Sequence, residues 1–228
     1  MTMFSHVFPL HKIFHLWDRL LLGNSSYPLC IGLAILKQLK DQLLEAQFNE
    51  CILLFSDMPA VDIDLVVSSS MEIFTSTPLT LTWRQHECER GPPGPTDMTP
   101  LDIGLLKSEK VGRISGTELL KLMEGSTKKA ICVDVRPAEE FKFGALPGAV
   151  NVPSETAFNE NGMLTNSTET IDGARRKGKI IAVVGSDKDR NAVIFAERLL
   201  QLQYPRVATL HGGLEVFRGA GVLVVPHA

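Results

Sequence analysis

What this sequence of 228 residues lacks narrows its function before any motif does. Its four cysteines, Cys30, Cys51, Cys88 and Cys132, lie far apart, and no Cys-x-x-Cys pair occurs. That spacing argues against a metal-binding or redox motif and against a disulfide framework. Reduced thiols in a cytosolic protein are expected. Positive charge is not in excess either: 23 Lys and Arg stand against 26 Asp and Glu. A polybasic surface for nucleic acid or anionic lipid is therefore not expected. No apolar run is long enough to span a bilayer, because Gly23 to Pro28 divides the stretch from Leu20 to Leu36. The N-terminus has neither the basic n-region nor the small-residue cleavage site of a secretory signal. What is present is a hydrophobic content of 44%, enough for a sizeable core. The length suits one large domain or two small ones.

Residues 9 to about 75 are expected to be helical. Ile13, Phe14, Leu16, Trp17, Leu20 and Leu21 recur at helical spacing, and Asn24 to Pro28 reads as a turn. Pro28 suits the first turn of a second helix. On that helix Leu29, Leu33, Leu36, Leu39 and Leu43 form a stripe, with Lys37, Lys40, Asp41 and Gln42 mostly off it. A shorter element covers Phe48 to Phe55, and a last helix, about Ile63 to Phe74, begins at a cap by Asp62. These helices are too apolar to stand alone as a miniature domain. They either dock on the rest of the chain or form the tail of a longer helical domain.

From 76 to about 112 the composition changes. Arg90-Gly91-Pro92-Pro93-Gly94-Pro95 cannot hold a helix or a central strand, so this stretch is expected to be a linker, mobile in its middle. Beyond Arg113 helices alternate with short apolar strands. Ser115 caps a helix to Glu124, with Glu118 placed to complete a capping box. Strands are expected at Ala130–Val135, Ile180–Val184 and Arg206–Leu210. Helices between strands imply a parallel sheet, with ligand sites at the carboxyl ends of its strands. Asp134 and Arg136 occupy that edge and either frame a pocket or form a structural pair. The loop of Gly185, Ser186, Asp187, Lys188, Asp189, Arg190 and Asn191 occupies it too. Strand, tight loop and helix N-terminus form a geometry that gathers N–H groups around an anion. A cysteine heading such a loop would be a low-pKa nucleophile; glycine has nothing to attack with.

Three segments carry a family resemblance in matching order. They are Val133-Asp134-Val135-Arg136-Pro137 to Phe141, Gly144-Ala145-Leu146-Pro147-Gly148 to Pro153, and Leu210-His211-Gly212-Gly213-Leu214. Over roughly residues 110–225 the sequence resembles the rhodanese family. In that family the loop opens with the sulfur-carrying cysteine, and the matching position here is Gly185. Arg190 falls on the loop arginine, and Ala145 stands where the family usually has histidine. The resemblance implies an inactive rhodanese domain that retains a vestigial anion loop. Cys132, inside a strand, is expected to be a packed core thiol. Ser186 has no histidine base near it in sequence.

The run His15-Leu16-Trp17-Asp18-Arg19-Leu20-Leu21-Leu22-Gly23 resembles the Trp-Asp signature near the end of a TBC domain, the helical fold of Rab GTPase-activating proteins. The family's arginine and glutamine fingers belong to a portion outside this stretch, and Arg19 does not match the finger. Trp17 and Asp18 are expected to order the bundle, with Trp17 buried. His11 and His15 have metal-ligand spacing but no third ligand in view, so no metal and no cofactor is expected.

The expected architecture is α + α/β. A C-terminal remnant of an all-helical TBC domain (1–75) leads through a linker (76–112) to a rhodanese-like α/β domain with a parallel sheet (113–228). The function implied is that of a non-catalytic interaction module in Rab regulation, vesicle traffic or growth signalling. Its partners are expected to be proteins, Rab GTPases among them, with no nucleic acid and only peripheral, partner-borne membrane association. The alternatives are GTPase activation when a full TBC domain is present, and a sulfurtransferase or phosphatase variant using another nucleophile.

Overall fold

The computed structural model describes residues 4–5, 8–82, 98–99, 101–165, 168–186 and 190–226. The glycine- and proline-rich run 90–95 and loop residues Asp187, Lys188 and Asp189 lie outside the described residues. The chain divides into two compact units, Met1–Thr77 and Pro78–Ala228.

The first unit is helical: α1 (Leu10–Leu22), α2 (Tyr27–Gln38), α3 (Lys40–Glu45), α4 (Phe48–Ser56) and α5 (Ile63–Ser76). Pro28 sits in the first turn of α2, where its missing N–H would have had no partner. Asp62 caps α5 by accepting from Leu65 N at 3.0 Å. A core forms where α2 packs on α5. At its centre Tyr27 meets Phe74 edge-on at 5.1 Å, and its hydroxyl lies 3.0 Å from Ser70 Oγ. A buried tyrosine needs such a partner for its polar end.

The leucine stripe expected to face this core does not. Leu29, Leu33 and Leu36 are exposed, whereas Cys30, Ile31, Ala34, Ile35 and Leu39 are buried. The reason is that α2 is apolar on nearly every side, so periodicity cannot choose its inner face. The smaller residues let α2 approach α5 closely. On α1, Ile13 and Leu16 are buried, while Phe14 and Leu21 face solvent. Trp17 is half-buried rather than buried, with Phe14 against its ring at 6.2 Å. Asp18 is exposed and not tied into the bundle.

The second unit is built on a five-stranded sheet. Its strands are β1 (Gly112–Ile114), β2 (Ala130–Asp134), β3 (Val150–Asn151), β4 (Ile180–Val184) and β5 (Val207–Leu210), in spatial order β1-β5-β4-β2-β3. All four pairings are parallel. β4 is buried along its whole length, as an apolar run in a parallel sheet should be. Val133, Val135, Ile181 and Val183 pack on one face, with α9 (Thr168–Arg176) and α10 (Asn191–Gln201). Cys132, Ala182, Val184 and Ala208 pack on the other, with α7 (Gly116–Met123).

Both ends of the proline-containing stretch are ordered within this unit. Leu79–Thr82 forms a 3-10 turn, and α6 (Ile103–Ser108) precedes β1. Only half of the expected capping box is present at α7. Ser115 Oγ accepts from Glu118 N at 3.2 Å, but the Glu118 carboxylate does not fold back. It accepts from Leu79 N and Thr80 N at 2.8 and 3.0 Å and from the Thr80 hydroxyl. Thr80 Oγ1 in turn accepts from Ser115 N at 3.1 Å. A short helix, α8 (Ala138–Phe143), follows Pro137 at the carboxyl edge of β2.

Candidate functional site at the carboxyl edge of the sheet

β4 ends at Val184, and the chain turns at once into the loop headed by Gly185. Gly185 is buried. Its carbonyl accepts from Leu214 N at 3.0 Å, which ties the loop to a 3-10 turn at Gly213–Phe217. Ser186 is held by the same turn, its hydroxyl donating to Glu215 Oε1 at 3.0 Å. A carboxylate therefore sits against the loop on the side where an anion would need donors. The loop's own middle donors, 187–189, fall outside the described residues. Arg190 is exposed at the start of α10, and Asn191 is that helix's first residue.

Gly185, Ser186 and Arg190 line a cavity of about 180 Å³ together with Arg113, Leu105 and Thr209. The Thr209 hydroxyl is buried there without a hydrogen-bond partner. Arg113 is already committed, donating through Nε and one terminal nitrogen to Glu109 at 2.8 and 2.7 Å. Neither Asp134 nor Arg136 is among the lining residues. The two form a pair of their own just past β2. Asp134 is fully buried, and its carboxylate accepts from Arg136 N at 3.0 Å and from the guanidinium at 2.7 to 3.3 Å. Arg136 also donates to Gly144 O at 2.7 Å. Burial pulls the guanidinium pKa down, but the Asp134 hydrogen bond and charge, with Glu140 and Glu215 behind them, raise it on balance.

Cys132 lies inside β2, fully buried. Burial drives its thiol pKa far up, Asp134 adds to that, and Arg136 offsets only part. Such a thiol carries no useful thiolate at neutral pH. Glu139 and Glu140 are exposed on α8, where Glu139 pairs with Lys142 at 3.1 Å. His211 is buried, and its Nε2 accepts from Thr99 N at 3.0 Å, so that lone pair is occupied. His11 and His15 are exposed on α1, and among the described residues no three potential ligands gather around a metal position.

Reasoning from sequence did not find Glu215 or the Glu109–Arg113 pair. The i, i+4 spacing of the latter was a usable signal. Glu215 had no local signal, because its partner Ser186 is 29 residues away.

Comparison with known proteins agrees with this architecture. Residues 115–220 match the rhodanese-like domain, and residues 1–44 match the Rab-GTPase-TBC domain. The chain thus joins a TBC-type helical segment to a rhodanese-like domain. It is similar along 99% of its length to the TBC domain-containing protein kinase-like proteins of Mus musculus, at 43% identity, and Homo sapiens, at 41%. It spans 29% of the length of each of these relatives. Among solved structures, the BH2092 protein of Bacillus halodurans is 26% identical, with a TM-score of 0.39 over 49% of this chain and 75% of that one. No helix of the described residues is long and apolar enough to cross a membrane.

Proposed function

We propose that this chain is a non-catalytic interaction module of a TBC protein, with a rhodanese-like domain that has lost its nucleophile. The observation that carries the proposal is the surroundings of Gly185. A Cβ added there would stand 3.2 Å from Ala192 Cβ and 3.3 Å from Val135 Cγ2, closer than side chains usually pack. The place of the reactive atom is thus empty of chemistry and partly filled by neighbours. Sulfur transfer needs a thiolate at the head of the loop, and the thiol in the adjacent strand, Cys132, is buried and protonated. On this reading the protein acts in the cytoplasm by holding protein partners, Rab GTPases among them, and reaches endomembranes through those partners.

Incubation of the purified chain with thiosulfate and cyanide is expected to give no thiocyanate above background. Mass spectrometry after a persulfide donor is expected to find no added sulfur on Cys132. Turnover that survives Cys132→Ala would refute the proposal, since it would require a second active thiol.

GTPase activation is the second reading, favoured by the match of residues 1–44 to the Rab-GTPase-TBC domain. That chemistry depends on an arginine inserted at the transition state, which neutralises developing charge. Arg19 does not fall on the finger position. Single-turnover GTP hydrolysis by a panel of Rab proteins is expected to be unchanged by this chain. Stimulation of any of them would place this reading first.

A further inference from the structure

The helices α2 and α4 each turn a row of large apolar side chains to solvent. On α2 the row is Leu29, Leu33 and Leu36; on α4 it is Phe48, Ile52 and Phe55. Both rows have the spacing i, i+4, i+7, so each runs straight along two turns of its helix. The opposite face of α2 is already buried on α5, whereas α4 has no buried residue at all. Phe48 is 79% exposed. An apolar helix left this bare is a docking element rather than a core element.

Charge distinguishes the two rows. Residues 1–40 hold one carboxylate, Asp18, against Lys12, Arg19, Lys37 and Lys40. From Asp41 to Trp83 there are acidic residues but no lysine, arginine or histidine. The α2 row runs on into exposed Lys37 and Lys40, four residues beyond Leu33 and Leu36. The α4 row is preceded by exposed Glu45, three residues before Phe48. The rows therefore match in length and spacing and are opposite in the sign of their flanking charge.

We propose that a second copy of this chain covers these rows, with α4 of one copy lying antiparallel on α2 of the other. Phe55 then meets Leu29, Ile52 meets Leu33, Phe48 meets Leu36, and Glu45 reaches Lys40 at the end of the seam. Apolar rows supply the attraction, and the charged ends fix direction and register. An anionic membrane is a poor occupant for α4, because Glu45, Glu50 and Asp57 surround its apolar row. The inference stands independently of the chemistry of the rhodanese-like unit.

Sedimentation velocity on the full chain is expected to show a discrete dimer that dissociates on dilution. Ile52→Glu and Leu33→Glu, both at exposed positions, should retain helical circular dichroism and weaken the dimer by at least about tenfold. Lys40→Glu and Glu45→Lys should each weaken it, and the double variant should recover, because the pair across the seam is rebuilt with its signs exchanged. A monomer at every concentration overturns the proposal. So does association that ignores Ile52→Glu, or a double variant no better than the single ones; either result points to a different protein or to unspecific clustering on the same face.

Discussion

Arg136→Ala is expected to destabilise the rhodanese-like unit by about 3–5 kcal/mol, the loss typical of a buried ion pair deprived of one partner. The size follows from which member stays behind. The Asp134 side chain is 0% exposed and Arg136 only 14%, so the orphaned carboxylate cannot turn to water. Its oxygens would keep one donor, the Arg136 backbone N–H, in place of the guanidinium bonds they now accept. Gly144 O would lose its donor as well, loosening the end of α8. Arg136→Lys should recover little, because an ammonium cannot serve both carboxylate oxygens and the Gly144 carbonyl with the planar fork that arginine supplies. A surface pair such as Glu139–Lys142 is the internal control: Lys142→Ala should cost less than about 1 kcal/mol. Urea denaturation followed by tertiary circular dichroism measures both. If Arg136→Ala loses no more than Lys142→Ala, water reaches Asp134 and the pair is not structural.

The spacing of Asp134 and Arg136 already made such a pair readable, because residues two apart across a strand end can close a local turn. What remained hidden was everything that came from far along the chain. The Gly144 carbonyl is one instance. The Glu118 carboxylate is another: its sequence position argued for a local capping box, yet its partners at Leu79 and Thr80 lie 39 and 38 residues away. Strands β2, β4 and β5 could be read because buried parallel strands appear as continuous apolar runs. β1 and β3, at three and two residues, are too short to carry a pattern. The inner face of α2 was misjudged because an all-apolar helix has no polar side to mark its exterior. For the site, the strand–loop–helix arrangement and the glycine at its head were legible from composition alone. The Glu215 carboxylate against Ser186 was not, since it depends on how the turn after β5 folds back over the loop.

That turn is the hinge of the second large effect expected. Gly212 adopts φ 70° and ψ 10°, the left-handed region that residues with a Cβ enter at a cost. A Cβ there would lie 2.6 Å from Val216 Cγ1, inside van der Waals contact. Gly212→Ala is therefore expected to cost about 1–3 kcal/mol for the backbone. Overpacking adds roughly 1–3 kcal/mol more, because valine's χ1 is stiff and cannot swing aside freely. The consequence should spread to the candidate site. Val216 belongs to the 3-10 turn whose Leu214 N–H holds the Gly185 carbonyl and whose Glu215 holds the Ser186 hydroxyl. Displacing that turn releases both anchors, so hydrogen exchange at Leu214, whose amide makes the bond to Gly185, should accelerate well beyond what global destabilisation predicts. Val216→Ala in the same chain separates the two causes. It removes the clash and leaves the positive φ, so the double variant should regain the packing part and keep the backbone part. The pair are in contact, so a coupling of 0.5 kcal/mol or more is the ordinary expectation. Gly212→Ala with unchanged stability and an unchanged Leu214 exchange rate would mean that the turn does not hold the loop, and the fixed geometry around Gly185 would need another source.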